Sequence, residues 1–394
     1  MMTETEIKAM LQEKPVLSWE GEPLLGGVYG QEEIDAAVAA MRDSFDISRG
    51  FGFSAEPIRK FEEEFAAYCG TQFACAVNSA GPGLDLVMRC LNLQPGDEVI
   101  LPSINYDAAP LAVLGAGGKV VWGEVRESDM MLDPADVERK ITSRTRAIFP
   151  VHIHGLCAPM DDYQAVARKY ARRTGGPIRV IGDAARAVGG DYNGTKVGKK
   201  GWASVFSFQT MKNMSTLGEG GMIVTDDAEL DRYAHSVRMY GREAAAWGTS
   251  NVMTKVQGAV GRVQLRKLDG FIAGRRKIAA ERTALLEGTP RIALPPRPQE
   301  HSFYLYPVLL DASLAGAGRD RLVSRMKSRY GIACMIANPP VYEVHPYVDK
   351  VCGRGTPVSE ALSRRIVCLP IHPQMSGNDN RYITAAFLSC LMEL

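Results

Sequence analysis

A lysine that closes an apolar run and opens a glycine-rich turn can serve as a carbonyl-binding amine. The stretch Ser204–Thr225, SVFSFQTMKNMSTLGEGGMIVT, has that form around Lys212. Gly218, Gly220 and Gly221 follow it, and glycines let the backbone approach a ligand closely, so Lys212 fits a Schiff-base amine in a crevice. A lysine at such a turn could equally lie on the surface. A second apolar run, in RVIGDAARAVGG (179–190), ends in Asp183. At the carboxyl end of a strand in an open α/β sheet, where ligands collect, an acid could keep a pyridine nitrogen protonated and let the ring draw off electrons during proton removal. The other reading of Asp183 is a helix N-cap before Ala184 and Ala185.

Three further features fall at run ends. In CAVNSAGPGLDL (75–86), Ser79, Ala80, Gly81 and Gly83 open a helix whose free N–H groups suit a phosphate, though such turns also arise for geometry alone. Tyr106, in LPSINYDAAP, could stack on a flat cofactor or be an ordinary core or surface tyrosine. Ser207, five residues before Lys212, could add a hydroxyl to the phosphate or face a neighbouring strand. His152 and His154, in VHIHG, could line the same site; alternatively one faces the core and the other solvent. A lysine, an acid, an aromatic ring and a phosphate turn, all expected at strand ends, could together hold pyridoxal 5'-phosphate (PLP).

The elements that must position these groups read as an alternating chain. Apolar runs at 73–77, 98–102, 119–122, 147–151, 179–181, 203–208 and 221–224 are predicted strands separated by helical segments. They predict an α/β fold with a mainly parallel sheet flanked by helices on both faces. Helical spacing at 32–41 and 58–68 places two amphipathic helices before the first strand, and 256–276 reads as a long helix with a basic outer face. After Pro290 the pattern changes to a strand at 304–310, a helix at 319–330 and a strand at 365–369, which predicts a smaller C-terminal α+β domain. The expected division is an N-terminal extension at 1–30, a large domain at 31–275 and a small domain at 276–394.

With 394 residues the chain can bury two cores, and 46 basic against 45 acidic residues leave no charge excess for a nucleic-acid backbone. No apolar run has the length of a membrane span. Eight scattered cysteines without metal-ligand spacing suit core residues in a reducing, cytoplasmic compartment.

Over nearly its whole length, from about Glu32 onward, the chain resembles the DegT/StrS family of fold-type I PLP enzymes, the sugar aminotransferases. The resemblance is carried by IRKFEEEFAAYCG (58–70), QPGDEVILPS (94–103), FPVHIHG (149–155), GDAARAVGG (182–190), FSFQTMKNMSTLGEGGMIVT (206–225), VQGAVGRVQLRKLD (256–269) and CLPIHPQM (368–375). It implies PLP as cofactor, Lys212 as the Schiff-base lysine and acid/base, Asp183 as the pyridinium partner and Tyr106 as the stacking ring. Ser79, Ala80, Gly81 and Ser207 are implied phosphate ligands, with Gln209 in the same strand end. The implied activity moves an amino group from glutamate or glutamine to a keto-sugar or cyclic ketone. The implied assembly is a homodimer with shared active sites, in which the segment GTSNVMTK (248–255) reaches into the partner's site.

Some residues depart from the family pattern. Ala80-Gly81 stands where a Gly-Thr pair is usual. Arg186 stands where Gln or His is usual, a permanent cation able to pair with a ring oxygen or a substrate carboxylate. Ser250 stands at the place of an expected asparagine, with Asn251 one residue on as the alternative cofactor contact. A PLP-dependent dehydratase or aromatising reaction is the alternative, over which Lys212 favours transamination, and Gln209 and Arg186 leave room for an aromatic-precursor or cyclitol function. A catalytically idle homologue would have lost Lys212 or Asp183, and both are present. The stretch IANPPVYEVHPY (336–347) is expected to contribute to substrate selection.

Overall fold

The computed structural model describes residues 2–15, 18–48 and 55–394. Seven strands form the main sheet: β1 (Phe73–Val77), β2 (Glu98–Pro102), β3 (Lys119–Gly123), β4 (Thr145–Ile148), β5 (Arg179–Asp183), β6 (Ala203–Ser207) and β7 (Gly221–Thr225). Their order is β1-β7-β6-β5-β4-β2-β3. β7 runs antiparallel to both its neighbours, and the pairs from β6 to β3 are parallel. β2, β6 and β7 are buried along their whole length, as a sheet covered on both faces requires. Helices Glu56–Cys69, Met160–Tyr170 and Lys255–Leu286 supply one covering layer, and Ala80–Cys90, Ala108–Gly115 and Ala228–Val237 supply the other.

The fold class is as expected, with differences at element ends. β4 stops at Ile148 rather than Val151, because Pro150 has no N–H to give the ladder; Val151 then makes a single bridge to Asp183. The predicted helix at 256–276 is Lys255–Leu286, 32 residues long, and runs unbroken through the position where the sequence reading divides the chain. Thr254 caps it reciprocally with Gln257. No glycine or proline interrupts the chain between 275 and 287, and Ile278, Ala279 and Leu286 are buried against the C-terminal layer. Close packing on helix Glu56–Cys69 depends on small residues: a Cβ at Gly258 would lie 3.0 Å from the Ile58 Cα.

That C-terminal layer is an antiparallel sheet of β8 (Ile292–Ala293), β9 (Tyr306–Leu310) and β10 (Ile366–Leu369), covered by helices Ala317–Tyr330 and Gly377–Met392. β9 starts two residues later than predicted, which leaves Tyr304 in a loop. Among the described residues no helix is long and apolar enough to cross a membrane.

Candidate active site

Topology brings the chemistry-bearing residues to one edge of the main sheet. β1, β5 and β6 end there, and β7, which runs the other way, begins there: Val77 and Ser207 both pair with Gly221. Ligands bind at this carboxyl edge in open α/β sheets. A cavity of about 660 Å³ opens over it, a size suited to a cofactor with substrate. Of the ten expected site residues, Ser79, Ala80, Gly81, Tyr106, Asp183, Arg186, Ser207, Gln209 and Lys212 line this cavity. Asn251 does not. Its backbone carbonyl accepts the N–H of Asn78 at 3.0 Å, next to the phosphate turn, and its own N–H donates to Arg238 O.

Lys212 sits in a loop closed by hydrogen bonds. Phe208 N–H donates to Gly220 O at 2.8 Å, Thr210 N–H to Gly218 O at 3.0 Å, and Lys212 N–H to Gln209 O at 2.8 Å. Gln209 Oε1 accepts Met211 N–H at 2.9 Å, so this side chain braces the loop as well as lining the cavity. The loop is held from outside by Tyr29, whose hydroxyl donates to Ser215 O at 2.9 Å and accepts Leu217 N–H at 3.1 Å. Gly26 presses on it so closely that a Cβ there would lie 2.1 Å from Met211 O and 2.2 Å from Lys212 O.

The Lys212 Nζ donates to the Tyr304 hydroxyl at 3.2 Å and lies 4.6 Å from that ring's centroid. Burial, then the charge of Arg186, lowers its pKa to about 8, against the opposing pull of Glu22, Asp183 and Glu219. A lysine so tuned can be a free amine near neutrality.

Asp183 is the last residue of β5 and 6% exposed. Its backbone is fixed on both sides, by Pro150 O accepting its N–H and by His152 N–H donating to its carbonyl. Its carboxylate accepts Ala185 N–H at 3.0 Å. Burial raises its pKa, and the Ala185 N–H and the charges of Arg186 and Lys212 oppose the rise. The helix N-cap reading does not hold, because residues 184–190 form turns rather than a helix; the carboxylate braces that turn through Ala185 while the side chain remains on the cavity wall.

At the third corner, helix Ala80–Cys90 points its N-terminus into the cavity. Ser79 precedes it in extended conformation and makes no side-chain cap, so the first N–H groups stay free. Ser79 Oγ instead donates to Glu219 at 3.3 Å. A Cβ on Gly81 would meet nothing within 4 Å, whereas one on Gly221 would lie 2.7 Å from the Ser79 carbonyl carbon. Gly221 thus permits the close approach that shapes the turn. Ser207 is buried at the end of β6, its Oγ accepting Gln209 N–H at 3.3 Å. Tyr106 is 65% exposed, its backbone held by Asn105 Oδ1, which leaves a ring face available at the cavity mouth. An amine, an acid, a free helix N-terminus and an available ring fit a flat aromatic aldehyde bearing a phosphate.

The two histidines do not line the cavity. Val151 and Ile153 take that side, while residues 153–155 form a tight turn with His154 at φ 57°, so strand alternation does not apply. Both rings are buried, and burial lowers their pKa values to about 4 for His152 and about 3 for His154. His152 Nδ1 accepts Ala158 N–H at 3.0 Å, a structural bond.

Sequence reasoning missed Glu22, which lines the cavity from the irregular N-terminal segment, and Tyr304, which is buried in the loop before β9 and bonds the Lys212 amine. Asn338 lies in the stretch 336–347 that was expected to act in substrate selection, and Ile336, Pro339 and Val344 of that stretch also line the cavity.

Comparison with known proteins shows the family and the fold. The sequence model of the DegT/DnrJ/EryC1/StrS aminotransferase family matches residues 29–388. The dTDP-3-amino-3,4,6-trideoxy-alpha-D-glucose transaminase of Streptomyces venezuelae is 36% identical over 351 residues, 87% of this chain and 88% of that protein. The spore coat polysaccharide biosynthesis protein SpsC of Bacillus subtilis is 31% identical over 371 residues, 89% and 92% of the two chains. Among solved structures, S. venezuelae DesV in complex with a ketimine intermediate superposes with a TM-score of 0.81 at 34% identity, covering 91% of this chain and 95% of that one. Helicobacter pylori PseC, an aminotransferase involved in the biosynthesis of pseudoaminic acid, superposes at 0.86 with 22% identity, covering 95% and 100%, a likeness of fold.

Proposed function

Since this chain belongs to the DegT/DnrJ/EryC1/StrS aminotransferase family, whose enzymes use PLP, we propose that it transfers an amino group from glutamate or glutamine to a nucleotide-linked keto-sugar. The observation that carries this reading is the meeting of Lys212, Asp183 and the free helix N-terminus at Ser79–Gly81 on one cavity. The named activity of the S. venezuelae transaminase supports a nucleotide-linked sugar as the acceptor class.

In this proposal the Ala80 and Gly81 N–H groups and the Ser79 and Ser207 hydroxyls hold the cofactor's phosphate. Tyr106 covers one ring face. Bound PLP supplies an aldehyde that condenses with amines and a ring that accepts electrons released at the substrate carbon. Asp183, beyond bulk solvent, holds a proton on the ring nitrogen. Lys212 Nζ carries the aldehyde and, once freed, accepts and returns a proton at the substrate carbon, a task its lowered pKa of about 8 suits near neutrality. The Tyr304 hydroxyl fixes the direction of that amine.

The proposed assembly is a cytoplasmic homodimer in which the segment 248–255 approaches the partner's site. Support comes from Asn251 standing outside its own cavity, from Ile34, Val38, Met41 and Phe45 exposed at helical spacing, and from eight free cysteines. The proposed division into 1–30, 31–275 and 276–394 assigns the seven-stranded sheet to the second unit and the three-stranded sheet to the third, with helix Lys255–Leu286 shared between them.

The test is to load the purified chain with PLP, add L-glutamate or L-glutamine, follow loss of the aldehyde form's visible absorbance, and then add nucleotide-linked keto-sugars. The reading expects donor-dependent bleaching reversed by a keto-sugar. Bleaching by no amino acid, or reversal by no sugar ketone, overturns it.

A further inference from the structure

Other buried arginines among the described residues turn most of their donors to protein, and those they leave without a partner, Nε of Arg238 and Arg275 and Nη1 of Arg282, are sealed from solvent. Arg275 gives three hydrogen bonds to the carbonyl oxygens of Phe303, Ile371 and Gly26, and Arg238 pairs with the Glu62 carboxylate. Arg186 differs. It is 9% exposed and stands on the cavity wall, yet no carboxylate among the described residues lies within ion-pair distance of it. Its Nη1 donates to the neutral Asn338 Oδ1, and its guanidinium carbon lies 5.6 Å from the Tyr304 ring centroid. No hydrogen bond among the described residues takes its Nε or Nη2, and neither atom is sealed from the cavity.

A cation removed from water and left unpaired by its own protein is costly to keep unless a ligand supplies the counter-charge. The open donors belong to a planar fork, which matches two oxygens on one carbon better than a lone hydroxyl. The fork is held before any ligand arrives: Asn338 Nδ2 donates to Asn105 O at 2.7 Å, and Tyr304 backs the guanidinium while bonding the Lys212 amine. Arg186 and Lys212 therefore lie on one ring, at 5.6 and 4.6 Å from its centroid. An oxyanion held by Arg186 is thereby kept close to the reacting amine, which suits a carboxylate attached to the reacting carbon itself.

We propose that Arg186, braced by Asn338 and Tyr304, is the residue that recognises the α-carboxylate of the amino donor. The proposal rests on the aminotransferase reading of this cavity and adds to it the part of the substrate that Arg186 takes. Glu22, on the same wall, sets a negative charge near the fork without closing on it, so the space between them suits a ligand that carries both signs.

The experiment compares the PLP-loaded chain with Arg186→Gln and Arg186→Lys. Glutarate, an unreactive dicarboxylate, is titrated into each while the visible absorbance is read, and the half-reaction is timed with L-glutamate and with n-butylamine, which has no carboxylate. Arg186→Gln is expected to weaken glutarate binding and raise the KM for L-glutamate by about tenfold to a hundredfold beyond any change in the n-butylamine reaction, which reports the effect on the Lys212 amine that both substrates share. Arg186→Lys, which keeps the charge without the fork, should fall between. Unchanged glutarate binding, or equal loss with both amines, overturns the proposal. A raised acceptor KM with an unchanged donor KM also overturns it, since the carboxylate would then belong to the acceptor. If Arg186→Gln takes up no cofactor, Arg186→Lys decides on the same comparison. A wild-type chain that forms no visible band with PLP defeats the functional reading instead.

Discussion

In the cofactor-free protein, Lys212 should react with an added aldehyde with a midpoint near pH 8. Burial is the main reason, since removing an ammonium from water disfavours its charged form, and the Arg186 guanidinium adds repulsion. The fall from 10.5 to about 8 raises the free-amine fraction at pH 7 from about three in ten thousand to about one in ten, roughly 300-fold. The assay is stopped-flow mixing of cofactor-free chain with PLP across pH 6 to 10, reading the growth of visible absorbance. The observed rate should climb steeply to about pH 8 and then level. Two variants test the causes separately: Glu22→Gln removes an opposing negative charge and should shift the midpoint down, and Arg186→Gln removes the repelling cation and should shift it up. A wild-type midpoint at pH 10 or above, or both variants moving the same way, would refute the reasoning.

Other outcomes follow from the same structure. Because the folded pKa of Lys212 lies below its unfolded value, the unfolded chain holds more protons between about pH 8 and 10.5, so the stability of the cofactor-free wild type should gain on Lys212→Met across that window. The gain is at most roughly 3 kcal/mol, because the amine keeps some contact with solvent. Denaturant unfolding of both chains measures it, and a constant difference contradicts it. Asp183→Asn should still bind PLP but lose about a hundredfold or more in transamination, since an amide cannot hold the ring proton; full activity would show that another group does so. Gly221→Ala places a Cβ 2.7 Å from the Ser79 backbone and should weaken PLP binding by about tenfold or more by moving the phosphate turn, read by cofactor titration. Tyr29→Phe removes the clamp on Ser215 and Leu217, and an unfolding cost of about 1–2 kcal/mol is expected.

Much of this architecture could be read from the sequence because its strands are short, mostly apolar and separated by helical periods. β6 and β7 are buried along their lengths and leave no ambiguity of face. The cavity residues on those strand ends were legible for the same reason, since a parallel sheet dictates which end of each strand carries the ligand. Other features depend on tertiary contact. Glu22 reaches the cavity from a segment with no periodicity, held by the close approach of Gly21 to Met335 and of Gly26 to Met211 and Lys212. The glycines of GEPLLGG are a faint sign of that approach, but nothing in them names its target. Tyr304 read as a strand residue, and its place beside Lys212 follows from β9 starting late. His152 and His154 looked like site residues because they flank a strand end, yet the turn at 153–155 directs Val151 and Ile153 to the ligand instead.

The central claim is that the amine of Lys212 is the one that binds the cofactor's aldehyde. Borohydride reduction of the PLP-loaded chain, followed by proteolysis and mass spectrometry, tests it directly. The account predicts one pyridoxyl-phosphate adduct per chain, on the peptide containing Lys212 and absent from Lys212→Ala. An adduct on another lysine, or none in a chain that still transaminates, would contradict it.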